Sequence, residues 1–122
     1  MKVKEIMIQE VDAIDENQTL KEVLKKAVES KKGSFIVTRD KKNVGIVTTW
    51  DVLEAISQEE DLSKIKVCDV MEEDLVTISA DATLKEAAKI MVDEVVWRLP
   101  VEEEGRLVGI VSATDIFRAM VD

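Results

Sequence analysis

The sequence predicts an α+β fold made of two α/β-type repeats, each β-α-β-β-α, packed through their sheets and helices about a pseudo-two-fold axis. Three observations predict it. The chain is written twice: shifted by 64 residues, Val3–Ile56 lies over Val67–Met120 without a gap, and sixteen of the 54 positions are identical. Chance on ordinary residue usage would supply about three or four. Each copy carries a helix-start signal followed by an apolar stripe at helical spacing. Each then carries two β-branched runs joined by a short polar loop. A duplication of this period sets the architecture, and it predicts that functional sites come in related pairs.

The elements follow in order. Val11–Ile14 and Leu75–Ile78 are short extended starts. Thr19…Glu22 and Thr83…Glu86 each place a threonine three residues before a glutamate, the pattern of a capping box. Leu20, Val23, Leu24, Ala27 and Val28 then recur on one helical face, and Leu84, Ala87, Ala88, Met91 and Val92 repeat them, so both sets are expected in the core. Ser34–Thr38 and Val44–Thr48 flank a polar loop, as do Arg98–Glu102 and Leu107–Ser112, and both pairs read as hairpins. A last helix carries Val52, Leu53, Ala55 and Ile56, matched by Ile116, Phe117, Ala119 and Met120. The organisation expected is a first repeat over residues 1–58, a polar connector over 59–66 and a second repeat over 67–122, together one module. A lone copy would have too thin a core to be more than marginal.

Composition removes several function classes. The chain has a net charge of −9, which opposes nucleic-acid and anionic-membrane binding. No run approaches the ~20 apolar residues of a membrane span, and the charged N-terminus lacks a signal peptide's apolar stretch. Cys68 is the only cysteine, so an internal disulfide is impossible and a cytoplasmic location is expected. Histidine is absent, which excludes His-based triads and the common zinc motifs. No EF-hand-like carboxylate spacing appears, so no metal is expected.

The sharpest local pattern is Val44-Gly45-Ile46-Val47-Thr48-Thr49-Trp50-Asp51, repeated as Val108-Gly109-Ile110-Val111-Ser112-Ala113-Thr114-Asp115. A strand ends in a hydroxyl residue and an aspartate follows three residues later. Two readings stay open on the residues alone. Thr48…Asp51 and Ser112…Asp115 have the form of N-cap pairs, and an acid suits the first turn of a helix. The same carboxylate can accept both hydrogen bonds of a ribose diol, and the helix N-terminus beside it can receive a phosphate.

Taken together, the Met7/Met71 lead-ins, the Thr-Leu-Lys-Glu helix starts, Arg98-Leu99-Pro100-Val101 and the doubled Gly-Ile-Val-Thr/Ser-x-x-Asp resemble a tandem pair of cystathionine β-synthase (CBS) domains over nearly the whole chain. The resemblance implies a regulatory, energy-sensing module that is not an enzyme. It would bind an adenosine-containing ligand (AMP, ADP, ATP or S-adenosylmethionine) in clefts between the two repeats. It implies that Asp51 and Asp115 hold the ribose, that Thr48 and Ser112 are the strand-end hydroxyls, and that Ile46 and Ile110 line the base pocket. Arg98 falls on the phosphate-facing basic position. Copy one has Ser34 in place of Arg98 and Ile36 in place of Pro100, so the two clefts are expected to differ, with Asp115 marking the better phosphate site. Lys32 is expected to reach the same anion from copy one. Trp97, opposite Gly33, is read either as stacking on an adenine at the rim or as packing.

The resulting expectation is a cytoplasmic sensor that signals to an unidentified effector protein and forms a homodimer through helix faces such as Leu53/Ile56 and Phe117/Met120. The rival is a structural interaction module whose clefts bind nothing, with Asp51 and Asp115 serving only as caps. An enzyme finds no support without histidine or a phosphate-cradling glycine loop.

Overall fold

The computed structural model describes residues 1–9 and 12–122. Strand β1 (Ala13–Asp15), helix α1 (Leu20–Ser30), strands β2 (Ser34–Arg39) and β3 (Lys42–Thr48) and helix α2 (Thr49–Ser57) make the first series. Strand β4 (Ile78–Ser79), helix α3 (Leu84–Glu94), strands β5 (Arg98–Glu103) and β6 (Arg106–Ser112) and helix α4 (Ala113–Val121) repeat it. Each series forms a three-stranded sheet, in the orders β1-β2-β3 and β4-β5-β6. β1 runs parallel to β2 and β4 parallel to β5, which requires the helical crossover, whereas each following pair is an antiparallel hairpin.

The helices start where their caps allow. Glu22 N–H donates to Thr19 Oγ1 at 3.4 Å and Thr19 N–H returns a bond to the Glu22 carboxylate at 3.3 Å, closing the box. Glu86 N–H donates to Thr83 Oγ1 at 3.1 Å. The hairpins are tighter than their polar loops suggested. Asp40 and Lys41, and Glu104 and Gly105, all have positive φ, and each pair forms the two-residue connection that matches the twist of its strands.

Two expectations are corrected. The extended start Leu75–Ile78 becomes a strand only at Ile78–Ser79. In the first series Ile36 N–H donates to Asp12 O at 3.0 Å. Its counterpart, Pro100, has no N–H to donate, so the parallel ladder begins one residue later, at Ile78↔Val101. The matching start at Val11 lies outside the described residues. Val28 and Val92, expected in the core, are 71% and 75% exposed. Each is eight residues beyond the first stripe residue, about 80° round the helix, and so falls at the stripe's edge and turns away from the sheet.

The chain divides into two compact units: Asp12–Leu75, and the N-terminal lead-in with Val76–Asp122. In the first, Ile14, Phe35, Val37 and Val47 on one sheet face meet Leu20, Val23 and Ala27 of α1 and Val52 and Ala55 of α2. In the second, Ile78, Leu99, Val101 and Val111 meet Leu84, Ala87 and Met91 of α3 and Ile116 of α4. The lead-ins are exchanged. Ile8 and Ile110 trade backbone bonds of 2.9 and 3.1 Å, so the start of the chain folds onto the second hairpin. Ile46 and Glu72 trade bonds of 3.0 and 2.9 Å, so the lead-in of the second sequence repeat folds onto the first hairpin. Each lead-in thereby covers the outer edge of β6 or β3, which would otherwise present unpaired backbone groups.

Helices α1 and α3 both stop with a residue in the left-handed region, Lys31 (φ 59°) and Val95 (φ 55°). A β-branched residue is strained there. Val95→Gly is therefore expected to raise stability by about 1 kcal/mol, measured by urea unfolding.

Candidate functional site

Each unit places a strand-to-helix turn at the end of its hairpin, and in both the strand-end N–H donates to the aspartate three residues on. Ser112 N–H donates to Asp115 Oδ2 at 2.9 Å, and Asp115 N–H returns a bond to Ser112 Oγ at 3.2 Å. Thr48 N–H donates to Asp51 Oδ2, also at 2.9 Å. The capping reading of these pairs is thus correct. It does not exclude the other, because a carboxylate has about four lone-pair sites and the cap takes one.

The start of the preceding strand is tied to the same turn. Ala113 N–H donates to Trp97 O at 2.7 Å, and Thr49 N–H donates to Gly33 O at 2.9 Å. The antiparallel register sets Arg98 opposite Ser112 and Pro100 opposite Ile110; in the first unit Ser34 faces Thr48 and Ile36 faces Ile46. These residues alternate with Leu99, Val101 and Val111, or with Phe35, Val37 and Val47, and so occupy the sheet face turned away from the helices. Ile110 and Ile46 are buried there. The second unit therefore brings together Asp115, Ser112, Ile110, Arg98 and the backbone of Trp97. The first brings together Asp51, Thr48, Ile46 and Gly33, with Lys32 one residue before. Lys32 forms an ion pair with Asp12 at 3.7 Å within its own unit.

The Trp97 side chain is 71% exposed, so it is not a core residue. It lines an apolar groove of about 270 Å³ between α3 and α4, with Met91, Val92, Val95 and Phe117 among its walls.

The electrostatics of the first turn add what the motif did not reveal. Burial pushes the Asp51 carboxyl above its ordinary value, and the nearby Glu54 and Glu72 push it the same way, against the lowering effect of its bonds from Thr48. The 64-residue offset pairs Glu54 with Arg118 and Glu72 with Ile8. Both charge differences, one a reversal and one a charge against a neutral residue, were present in the sequence alignment. Their relevance was not, because only the exchanged lead-in brings Glu72 to the Asp51 turn. A raised carboxyl pKa means that the native state holds the proton more tightly than the unfolded chain. The resulting stability is full below the ordinary value of 3.8 and is lost as pH rises through the elevated folded value. Asp51→Asn is thus expected to be more stable than wild type at neutral pH. Thermal melts across pH should show that advantage disappearing as pH falls below the ordinary aspartate range.

The comparisons with known proteins bear on the family and the fold. The sequence model described as CBS domain matches residues 3–58 and again residues 67–122. An uncharacterised protein of Methanocaldococcus jannaschii is 31% identical over 123 residues, spanning 100% of this chain and 45% of that one. The inosine-5′-monophosphate dehydrogenase of the same organism is 37% identical over 119 residues, spanning 96% of this chain and 23% of the enzyme. The chain thus spans about half, or less, of the length of these relatives. Among solved structures, a CBS domain pair in complex with 5′-methylthioadenosine and S-adenosyl-L-methionine superposes with a TM-score of 0.87 at 25% identity, covering 99% of this chain and 96% of that one. No helix among the described residues is long and apolar enough to cross a membrane.

Proposed function

Since this chain belongs to the CBS domain family, we propose that it is a non-enzymatic regulatory module of the cytoplasm. It takes up an adenosine-containing ligand (AMP, ADP, ATP or S-adenosylmethionine) at its strand-to-helix turns and reports occupancy to a partner protein. The observation that carries this reading is the Asp115 turn. One carboxylate oxygen is anchored by the chain's own backbone at 2.9 Å, which orients the other for a ribose diol. Beside it stand a helix N-terminus and, across the strand pair, Arg98. The solved pair that holds 5′-methylthioadenosine and S-adenosyl-L-methionine supports an adenosyl ligand for this fold. A ligand acts on the partner only by binding one arrangement of the module better than another. Calorimetric titration with AMP, ATP and S-adenosylmethionine tests the reading: saturable binding of at least one is expected, and no binding of any at millimolar concentration would refute it.

The interaction role is not an alternative to this one. Trp50, Leu53 and Ile56 on α2 and Phe117, Met120 and Val121 on α4 are exposed. Apolar faces of this kind mark interaction surfaces, and closed two-fold pairing is the commonest way to bury them. The proposal includes a homodimer formed through these helices. Phe117→Glu with Met120→Glu is expected to shift the protein toward a 13.7 kDa monomer while the fold survives. Sedimentation at micromolar concentration checks it, and a wild type that is already monomeric would defeat the dimer.

A further inference from the structure

The two turns share a backbone plan and differ in charge. Next to Asp115 the strand begins with Arg98, and one helical turn beyond Asp115 stands Arg118. The lead-in paired to Ile110 contributes Ile8, which is neutral. Next to Asp51 the strand begins with Ser34, and one helical turn beyond Asp51 stands Glu54. The lead-in paired to Ile46 contributes Glu72, through bonds of 3.0 and 2.9 Å. The basic groups on this side are Lys31 and Lys32, which precede β2, and Lys32 faces Asp12 at 3.7 Å. By register and sequence position one turn thus has two arginines beside it, and the other has two glutamates besides its own aspartate, with Lys31 and Lys32 ahead of its strand.

We propose that the two turns sort adenosyl ligands by the charge of the 5′ substituent: the Asp115 turn takes a phosphate-bearing nucleotide, and the Asp51 turn takes a neutral or cationic adenosyl compound, selected against phosphate by Glu54 and Glu72. The inference rests on the reading above that each turn receives an adenosyl ligand, and adds what decides between ligands. Ribose and base contacts are common to both classes, through Asp51, Thr48 and Ile46 on one side and Asp115, Ser112 and Ile110 on the other. Discrimination therefore falls to the group at the 5′ carbon. A phosphate there meets like charge beside Asp51 and opposite charge beside Asp115. A sulfonium meets the reverse. The upward push that Glu54 and Glu72 exert on the Asp51 carboxyl is independent support that they lie within electrostatic reach of the turn. Like-charge juxtaposition is a common way of rejecting a wrong partner.

The test uses the full chain carrying Asp115→Asn, which keeps an oxygen acceptor for the cap and leaves the Asp51 turn as the working site. Adenosine, S-adenosylmethionine and AMP are titrated calorimetrically at one low salt concentration. Adenosine or S-adenosylmethionine should bind at least about tenfold more tightly than AMP. Adding Glu54→Arg and Glu72→Ile should raise AMP affinity about tenfold and leave adenosine nearly unchanged. Equal affinity for AMP and adenosine, an unchanged AMP affinity after the charge reversal, or no binding at all to Asp115→Asn would each overturn the sorting while the wild type still binds AMP. A wild type that binds none of the three would instead remove the adenosyl reading itself, and the sorting with it. If Asp115→Asn does not fold, the reciprocal Asp51→Asn decides: it should keep AMP affinity and lose the tighter site for S-adenosylmethionine, and retention of that site would refute the proposal.

Discussion

Asp115→Ala is expected to weaken AMP binding by about 10- to 100-fold, the loss of one or two charge-assisted hydrogen bonds to a ribose. The same change removes the acceptor for Ser112 N–H and so costs about 1 kcal/mol of stability as a lost helix cap. The two effects separate with Asp115→Asn, which retains a cap acceptor and should melt close to wild type, yet still bind AMP poorly. AMP affinity unchanged in a folded Asp115→Ala would remove the ribose role and leave the residue as a cap only.

Gly109→Ala is expected to be the most damaging small substitution in the second unit. A Cβ there would stand 2.7 Å from Ile8 O and 2.9 Å from Met7 Sδ, closer than real contacts allow. Met7 can give way, but the backbone oxygen cannot move without breaking the paired bonds between Ile8 and Ile110. Overpacking and the lost bonds together predict a destabilisation of about 2–3 kcal/mol. Gly45→Ala should act alike in the first unit, where a Cβ would stand 2.7 Å from Glu72 O. Urea unfolding measures the loss, and hydrogen exchange at Ile8 N–H should quicken in Gly109→Ala. A variant as stable as wild type would mean that the lead-in does not hold this edge.

These glycines mark where legibility ends. Gly45 and Gly109 are plain in the sequence as parts of a doubled motif, and so are Met7 and Met71. The contacts between them are exchanged: Met7 packs at Gly109 and Met71 at Gly45. An exchange of this kind joins segments about a hundred residues apart in one case, and no local periodicity records it. What local chemistry dictates was readable. The threonine caps, the helical stripes and the hairpins stand where capping and alternation put them, and the hairpin register follows, setting Arg98 opposite Ser112. Failures of the pattern have local causes that depend on a neighbour. Pro100 shortens β4 because Val101, rather than the residue before it, must begin the parallel ladder. Val28 and Val92 extend an apolar stripe past the edge of the sheet that would have covered them. In the candidate site the aspartates and hydroxyls were legible as a motif. The acid surroundings of Asp51 were not, since Glu72 reaches that turn only through the exchanged lead-in.

The proposed function stands on an adenine nucleotide held at the Asp115 turn. The measurement that tests it most directly is an AMP titration of the 15N-labelled protein followed by amide chemical shifts. Saturable shifts are expected, concentrated at Arg98, Ile110 and Ser112 to Asp115, and are expected to vanish in Asp115→Asn. Saturable shifts confined to other parts of the chain, or none at millimolar AMP, would contradict it.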